Sequence, residues 1–386
     1  MMRLSSVVTS GPDHQTDRAT VREVAGHPVY RVGTLPGEGI GPSLIDICVN
    51  LLGVIEACSP VRFDVRQGGL IGKDAVKAAG TSLTDEVVAF CEDTFAHQGA
   101  VLCGPGGARF VYALRRRFDL YCKLVPLIPL ASLSGVGVLR PEAVRDVDVL
   151  VVRDNIGGLY FGESSLQGDV GERVARMTFD YREQDIARLV GVAADMAAQR
   201  RQRLCVVFKP GATGVMSDLW ESTAKRVLQG RNIEVSYLEV DNACYQMVAR
   251  AQHFDVVVTP NMFGDVLADG ATVLMASRGV SYSANYGPNG RAVYQTGHGA
   301  AHDLAGQDKA NPIGQVLSLA MMLHESFGLT DIAHALRSAV DDVLHAGWRT
   351  ADVMEPHARL VGTREMGEKV AHALHARLMS LARAVA

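Results

Sequence analysis

The sequence predicts an α/β protein with a largely parallel central sheet, helices on both faces and two domains. Strand-like and helix-like segments alternate through most of its 386 residues, which is the pattern of strand-helix-strand units. The clearest strand-like segments are continuous apolar, β-branched runs, as expected for buried strands. The chain is also too long for one small hydrophobic core.

The elements follow in order. The first 26 residues are polar, lack an apolar leader core and read as a loose extension. Tyr30-Arg-Val-Gly-Thr-Leu35 reads as a strand. Pro42-Ser-Leu-Ile-Asp-Ile-Cys-Val-Asn-Leu-Leu52 reads as an amphipathic helix with proline in its first turn. Val147-Asp-Val-Leu-Val-Val-Arg153 is a strand. Residues 160–181 break the pattern. Loop composition at 162–171 and strand character at 173–181 predict a hairpin arm that leaves the sheet. A helix over 184–198, a strand over 204–209, a strand over 233–241 and a strand over 254–260 follow. The last hundred residues carry helical periodicity at 315–325, 331–345 and 365–384.

Composition narrows the function. A formal net charge of -4 gives no electrostatic reason to bind nucleic acid or an anionic membrane. No apolar stretch is read as membrane-spanning. Seven cysteines form no C-x-x-C pair and fit reduced thiols in a cytoplasmic protein. Cys103 and Cys122 lie near the motifs below, and a nucleophilic role for one of them is the less favoured reading.

Five motifs carry chemistry. Asp265-Val-Leu-Ala-Asp269 places two carboxylates one helical turn apart, just after a buried strand. Such a pair is either a solvated helix face or a site for one hard divalent cation. It opens the apolar segment 271–276, and Asp241 closes the preceding strand as a third carboxylate. Leu35-Pro-Gly-Glu-Gly-Ile-Gly-Pro42 joins a strand to a helix. Its G-x-G-x-G spacing misses the dinucleotide fingerprint, so a phosphate cradle and a tight turn both remain open. Arg153, in Arg153-Asp-Asn-Ile-Gly-Gly-Leu-Tyr160, suits carboxylate recognition. Tyr160 suits proton donation if a cation lowers its pKa. Lys209 ends a strand, where partial burial would lower its pKa toward base duty. Finally, His298-Gly-Ala-Ala-His-Asp-Leu-Ala-Gly306 offers small residues to a flat ring and Asp303 to ribose hydroxyls; metal binding by His298 and His302 is the alternative.

Taken together and in order, these motifs resemble the β-decarboxylating dehydrogenases, the group of isocitrate, 3-isopropylmalate, homoisocitrate, tartrate and D-malate dehydrogenases. The resemblance runs from about residue 29 to the C-terminus. It implies an isopropylmalate-dehydrogenase-like two-domain fold. Residues 27–120 plus 278–386 would form the large cofactor-binding domain. Residues 121–277 would form a small domain bearing the dimerisation arm at about 160–181. It implies Mg²⁺ or Mn²⁺ on Asp265 and Asp269, with Asp241 and Lys209 lent to the partner's site in a homodimer. Tyr160 and Lys209 would be the acid/base pair, with Asp241 beside them. Arg115 and Arg153 would bind substrate, with Lys123, Arg109 and Tyr112 available around them. His298, Gly299, Asp303, Leu304, Asn311 and Ile40 would contact the cofactor. An acidic Asp303 favours the hydroxyl of NAD over a phosphate.

The sequence also departs from the family. A-N-L-R-P becomes Cys122-Lys-Leu-Val-Pro126, so Val125 replaces an arginine and Lys123 an asparagine. The loop before Arg115 is short. Lys-x-Asn becomes Lys209-Pro-Gly211, and Glu-Pro becomes Gln295-Thr296. Changes at the substrate end, with the carboxylates and the Lys/Tyr pair retained, imply retained chemistry on a pathway-specific substrate. The expected activity is NAD- and metal-dependent oxidative decarboxylation of a substituted malate-like 2-hydroxy acid. The competing readings are a non-decarboxylating 2-hydroxy acid dehydrogenase and a non-catalytic regulatory subunit.

Overall fold

The computed structural model describes residues 23–24 and 27–385. Apart from Glu23–Val24, the expected loose extension lies outside these residues. The main sheet contains β1 (Glu23–Val24), β2 (His27–Leu35), β3 (Arg62–Gln67), β4 (Ala100–Cys103), β5 (Cys122–Leu127) and β6 (Val149–Asp154). After the hairpin β7 (Glu163–Gln167) and β8 (Val174–Thr178), it resumes with β9 (Arg203–Phe208), β10 (Glu234–Glu239), β11 (Val256–Thr259), β12 (Tyr282–Tyr286) and β13 (Ala292–Thr296). The strand order is β1-β2-β4-β13-β12-β5-β6-β11-β9-β10, with β3 paired to β2.

The sheet is parallel in two blocks. β3, β2, β4 and β13 run together, as do β6, β11, β9 and β10. Between the blocks, β12 is antiparallel to both β13 and β5, and β5 is antiparallel to β6. The two blocks therefore point in opposite directions. This arrangement brings the start of β5 beside the end of β6, pairing Lys123 with Arg153. It also pairs Lys123 with Asn285 of β12.

The apolar runs fold as expected: β4, β5, β6 and β11 are buried along their whole length. The helix Gly41–Cys58 begins with proline in its first turn and buries Leu44, Ile45, Cys48, Leu51, Leu52 and Ile55, spaced three and four apart to form one stripe. Its length and apolarity are enough to cross a membrane, which corrects the expectation that no segment reaches that threshold. Apart from Leu44, which packs with Ile40 and Ala310, its stripe joins the same core as the sheet and the C-terminal helix Thr363–Val385. The predicted arm is the antiparallel hairpin β7–β8, exposed throughout.

One boundary differs from expectation. Asp241 does not end a strand. β10 stops at Glu239, and Asp241 lies in the first turn of the helix Val240–Ala249, where a carboxylate faces the positive end of the helix dipole. Asp265 and Asp269 lie one turn apart on one helix, Asn261–Ala271, as their spacing predicts, and the apolar segment continues as the short turn Thr272–Met275.

Candidate active site

The site gathers where β6 and β11 end and β5 begins. Arg153 closes β6 and is almost completely buried. Its Nε and Nη2 donate to Asn261 Oδ1 at 3.2 and 2.7 Å. Its Nη1 donates to Asp265 Oδ1. Tyr160 Oη donates to the other carboxylate oxygen, Asp265 Oδ2, at 2.8 Å. The helix approaches this closely because residue 264 is glycine. A Cβ there would lie 2.7 Å from Thr259 Cγ2 and 2.8 Å from Arg153 Cγ. Sequence reasoning missed Asn261. The available signal was its place four residues before Asp265, on the same helix face, right after Pro260.

Electrostatics set the protonation states. Burial works to raise the Asp265 pKa, but Arg153, the Tyr160 hydrogen bond, Lys123 and Arg115 outweigh it and hold the carboxylate below its usual range. Tyr160 moves opposite to expectation. Burial, then its hydrogen bond to the Asp265 carboxylate, pushes its pKa up to about 12, so Arg153 nearby does not make it a readier acid. Arg115 is buried, and burial followed by the like charge of Arg153 brings its pKa down to about 9. Lys123 is buried beside both arginines; burial first, then Arg115 and Arg153, lowers its pKa well below the usual lysine value. Arg115 Nε has no hydrogen-bond partner. Tyr112 joins the group from the helix Phe110–Arg117. Its ring meets Tyr160 edge-on at 5.7 Å, with the Arg109 and Arg115 guanidinium carbons 4.9 and 5.5 Å from its centroid.

Lys209 and Asp241 form a separate cluster. Lys209 Nζ donates to Asp241 Oδ1 at 2.8 Å and to Glu239 Oε2 at 2.5 Å. These bonds raise the Lys209 pKa and correct the expectation of a lowered one; burial opposes them but is too slight to win. Lys209 in turn lowers the Asp241 pKa. Asp269 pairs with Arg278 Nη2 at 2.7 Å. Among the described residues, no three acidic, histidine or cysteine side chains gather as a metal site. The expected Asp241, Asp265 and Asp269 set is therefore not assembled within one chain. Asp265 and Asp269, one turn apart, partly exposed and with Asp265 held ionised, still fit a hard divalent cation as two oxygen donors.

The cofactor candidates gather on the other block. The glycine-rich turn is tight, and three of its amides are used within the fold. Glu38 N donates to the Pro105 carbonyl, Ile40 N to the Ala300 carbonyl and Gly41 N to the Glu38 carbonyl. Gly37 and Gly39 take left-handed conformations, and a Cβ on Gly39 would meet the Ala300 carbonyl at 2.0 Å. Ile40 and Leu304 line one cavity of about 370 Å³. Asp303 is exposed on the short turn His302–Leu304, with exposed Gly299 nearby in sequence. His298 Nδ1 contacts the Gly299 carbonyl at 2.9 Å, its Nε2 is unpartnered, and burial lowers its pKa. Asn311 is held beside the start of the helix Ile313–Glu325: its Oδ1 accepts from Ile313 N, and its Nδ2 donates to Asp352. Cys103 and Cys122 are free and buried, and burial raises both thiols far above their usual pKa, which argues against a nucleophile.

Comparison with known proteins decides the family. Residues 31–370 match the family model described as isocitrate/isopropylmalate dehydrogenase. The chain belongs to the isocitrate/isopropylmalate dehydrogenase family. It is 37% identical over 358 residues to the 3-isopropylmalate dehydrogenase of Geobacillus kaustophilus, covering 88% of this chain and 94% of that protein. It is 37% identical over 361 residues to that of a Nostoc species, covering 89% and 98%. The structure of isocitrate dehydrogenase from Methylococcus capsulatus superposes with a TM-score of 0.78 at 29% identity, covering 90% of this chain and 99% of that one. The protein is thus a dehydrogenase of the decarboxylating, isocitrate/isopropylmalate type.

Proposed function

We propose that the protein catalyses the NAD-dependent, divalent-metal-dependent oxidative decarboxylation of a C3-substituted malate. The observation that supports this best is the Asp265 cluster: an ionised, partly exposed carboxylate faces a buried wall of Arg115, Lys123 and Arg153. The arginines and the lysine would receive the substrate carboxylates. Asp265 and Asp269 would hold Mg²⁺ or Mn²⁺, which supplies charge stabilisation at the 2-hydroxyl and at the enolate left by decarboxylation. Tyr160, hydrogen-bonded to Asp265 and kept protonated, would deliver a proton to the enol carbon. Exposed Asp303 would select the ribose hydroxyl of NAD.

The acid/base arrangement is completed by a second copy. Lys209 and Asp241 form a solvent-facing cluster with Glu239 and would serve the partner's site in a homodimer. The arm supports dimerisation. Leu166, Val170, Val174 and Met177 are all exposed on or within the hairpin, an apolar surface that a partner would cover.

The test is NADH formation with D-malate and C3-substituted malates, with and without Mn²⁺, while bicarbonate release is measured. Metal-dependent NADH with stoichiometric CO₂ is expected. Oxidation without CO₂ would leave a plain hydroxy acid dehydrogenase.

A further inference from the structure

β6 ends with Arg153 and Asp154 in succession, and successive strand residues face opposite sides of a sheet. Arg153 belongs to the Asp265 cluster. Asp154, across the strand from it, lines a separate cavity of about 220 Å³. Asp154 is only 7% exposed. Its Oδ1 accepts from the amides of Ile156 and Gly157 at 3.2 and 3.3 Å, but its Oδ2 has no hydrogen-bond partner. Gly157 makes room for that oxygen, because a Cβ there would lie 2.7 Å from it. Burial raises the Asp154 pKa to about 6, against the two amides and Arg153, so the carboxyl is ionised at neutral pH. A buried charged oxygen without a partner is costly to keep and calls for an explanation.

The rest of the cavity indicates what would pair with it. Asp119, Asp180 and Asp185 also line the wall, and each already meets an arginine. Asp119 accepts from Arg188 Nη1 and Nη2 at 2.6 and 3.1 Å, Asp185 lies 3.4 Å from Arg188, and Asp180 lies 3.8 Å from Arg182. Asp154 Oδ2 meets none, so the cavity lacks one positive charge. A hard metal ion takes about six or more oxygen ligands, which one open carboxylate oxygen does not supply. The apolar wall comes from Tyr181 and Trp220, edge-on to each other at 5.7 Å, and from Leu189. Aromatic rings beside a carboxylate suit an organic ammonium ion.

We infer that this cavity binds a small organic ammonium ion, with its charged head on Asp154 Oδ2 and its apolar body against Tyr181, Trp220 and Leu189. The site is separate from the substrate, metal and cofactor groups described above. Ile156, Gly157 and Gly158 line it, so its ligand sits against the segment that leads to Tyr160.

The experiment is a fluorescence titration of the full chain with n-butylammonium, n-butanol and K⁺, at constant ionic strength held with NaCl. The chain has two tryptophans, and Trp348→Phe leaves Trp220, in the cavity wall, as the reporter. Butylammonium should give a saturable response. Butanol and K⁺ should bind at least about tenfold more weakly, the lower bound for one charged hydrogen bond. Asp154→Asn keeps the Oδ1 acceptor for the two amides and removes the charge. It should weaken butylammonium by roughly ten- to a hundredfold and leave butanol unchanged. Equal binding of butylammonium and butanol overturns the inference, as does K⁺ binding as tightly as butylammonium, binding undiminished in Asp154→Asn, or no saturable response. Where either variant fails to fold by circular dichroism, calorimetry with the three ligands on the native chain decides by the same ranking.

Discussion

Asp265 and Asp241 are both carboxylates in a helix that follows a parallel strand, yet their surroundings differ completely. Asp265 is partly buried, gripped by an arginine with almost no exposure and by a tyrosine. Asp241 is exposed and pairs with a lysine that also reaches Glu239. Charges in the first setting are strongly coupled and poorly screened; in the second, solvent weakens each interaction. The difference teaches that one cluster is part of the architecture of its own subunit, while the other is only presented by it. A presented cluster is what a site shared between two copies requires.

The comparison breaks most visibly in activity. Lys209→Met should lower kcat by about a hundredfold or more, the usual worth of a general acid or base, with little change in the urea midpoint. Mixing Lys209→Met with Asp265→Asn subunits should restore part of the activity, because the mixed dimer holds one site free of both changes. Failure of complementation, with mixed dimers verified by native mass spectrometry, would place Lys209 and Asp265 in the same subunit's site.

A smaller but still large effect is expected on stability. Arg153→Leu leaves Asp265 without its guanidinium and Asn261 without its donors. It should cost about 2–4 kcal/mol in urea unfolding, discounted for the partial exposure of Asp265 from the range for breaking a buried pair. A loss no greater than that of Lys209→Met would erase the distinction between the clusters.

The smallest effect is a pH dependence. The Asp265 pKa is lowered on folding, so its stabilisation is present above the unfolded value of about 4 and is lost as pH falls through the folded value. The native enzyme's stability advantage over Asp265→Asn should therefore be flat above pH ~5 and shrink below pH ~4. An advantage that grows on acidification would mean the carboxylate is not ionised.

Much of this was legible in the chain. Runs such as 147–153 and 254–260 are continuous and apolar, and each became a buried strand because only a strand covered on both faces needs that composition. The helix at 184–198 and the C-terminal helices carry strong periodicity and formed as expected. Boundaries were less legible where two elements abut. Asp241 reads as the end of β10 because the β-branched pattern runs up to it, but the helix dipole claims the carboxylate. The Lys209 pKa runs against expectation because Asp241 and Glu239 bond it, and the Tyr160 pKa because burial first, then the Asp265 carboxylate, raises it; Asp241 and Asp265 lie 32 and 105 residues away.

The sequence by itself determined the alternation of strands and helices, the spacing of Asp265 and Asp269, and the order of motifs that marks the family. These are local or linear properties, set by periodicity and residue type. Only the tertiary structure decided that the sheet is two opposed parallel blocks, that β5 brings Lys123 beside Arg153, and that Asp241 stands apart from Asp265. It also decided that Glu38 accepts from the Gly107 amide, beside the left-handed Ala108 and Arg109. Each of these outcomes is a contact between distant segments. Strand direction, register and burial create the electrostatic setting of a side chain, and no spacing within the chain encodes them.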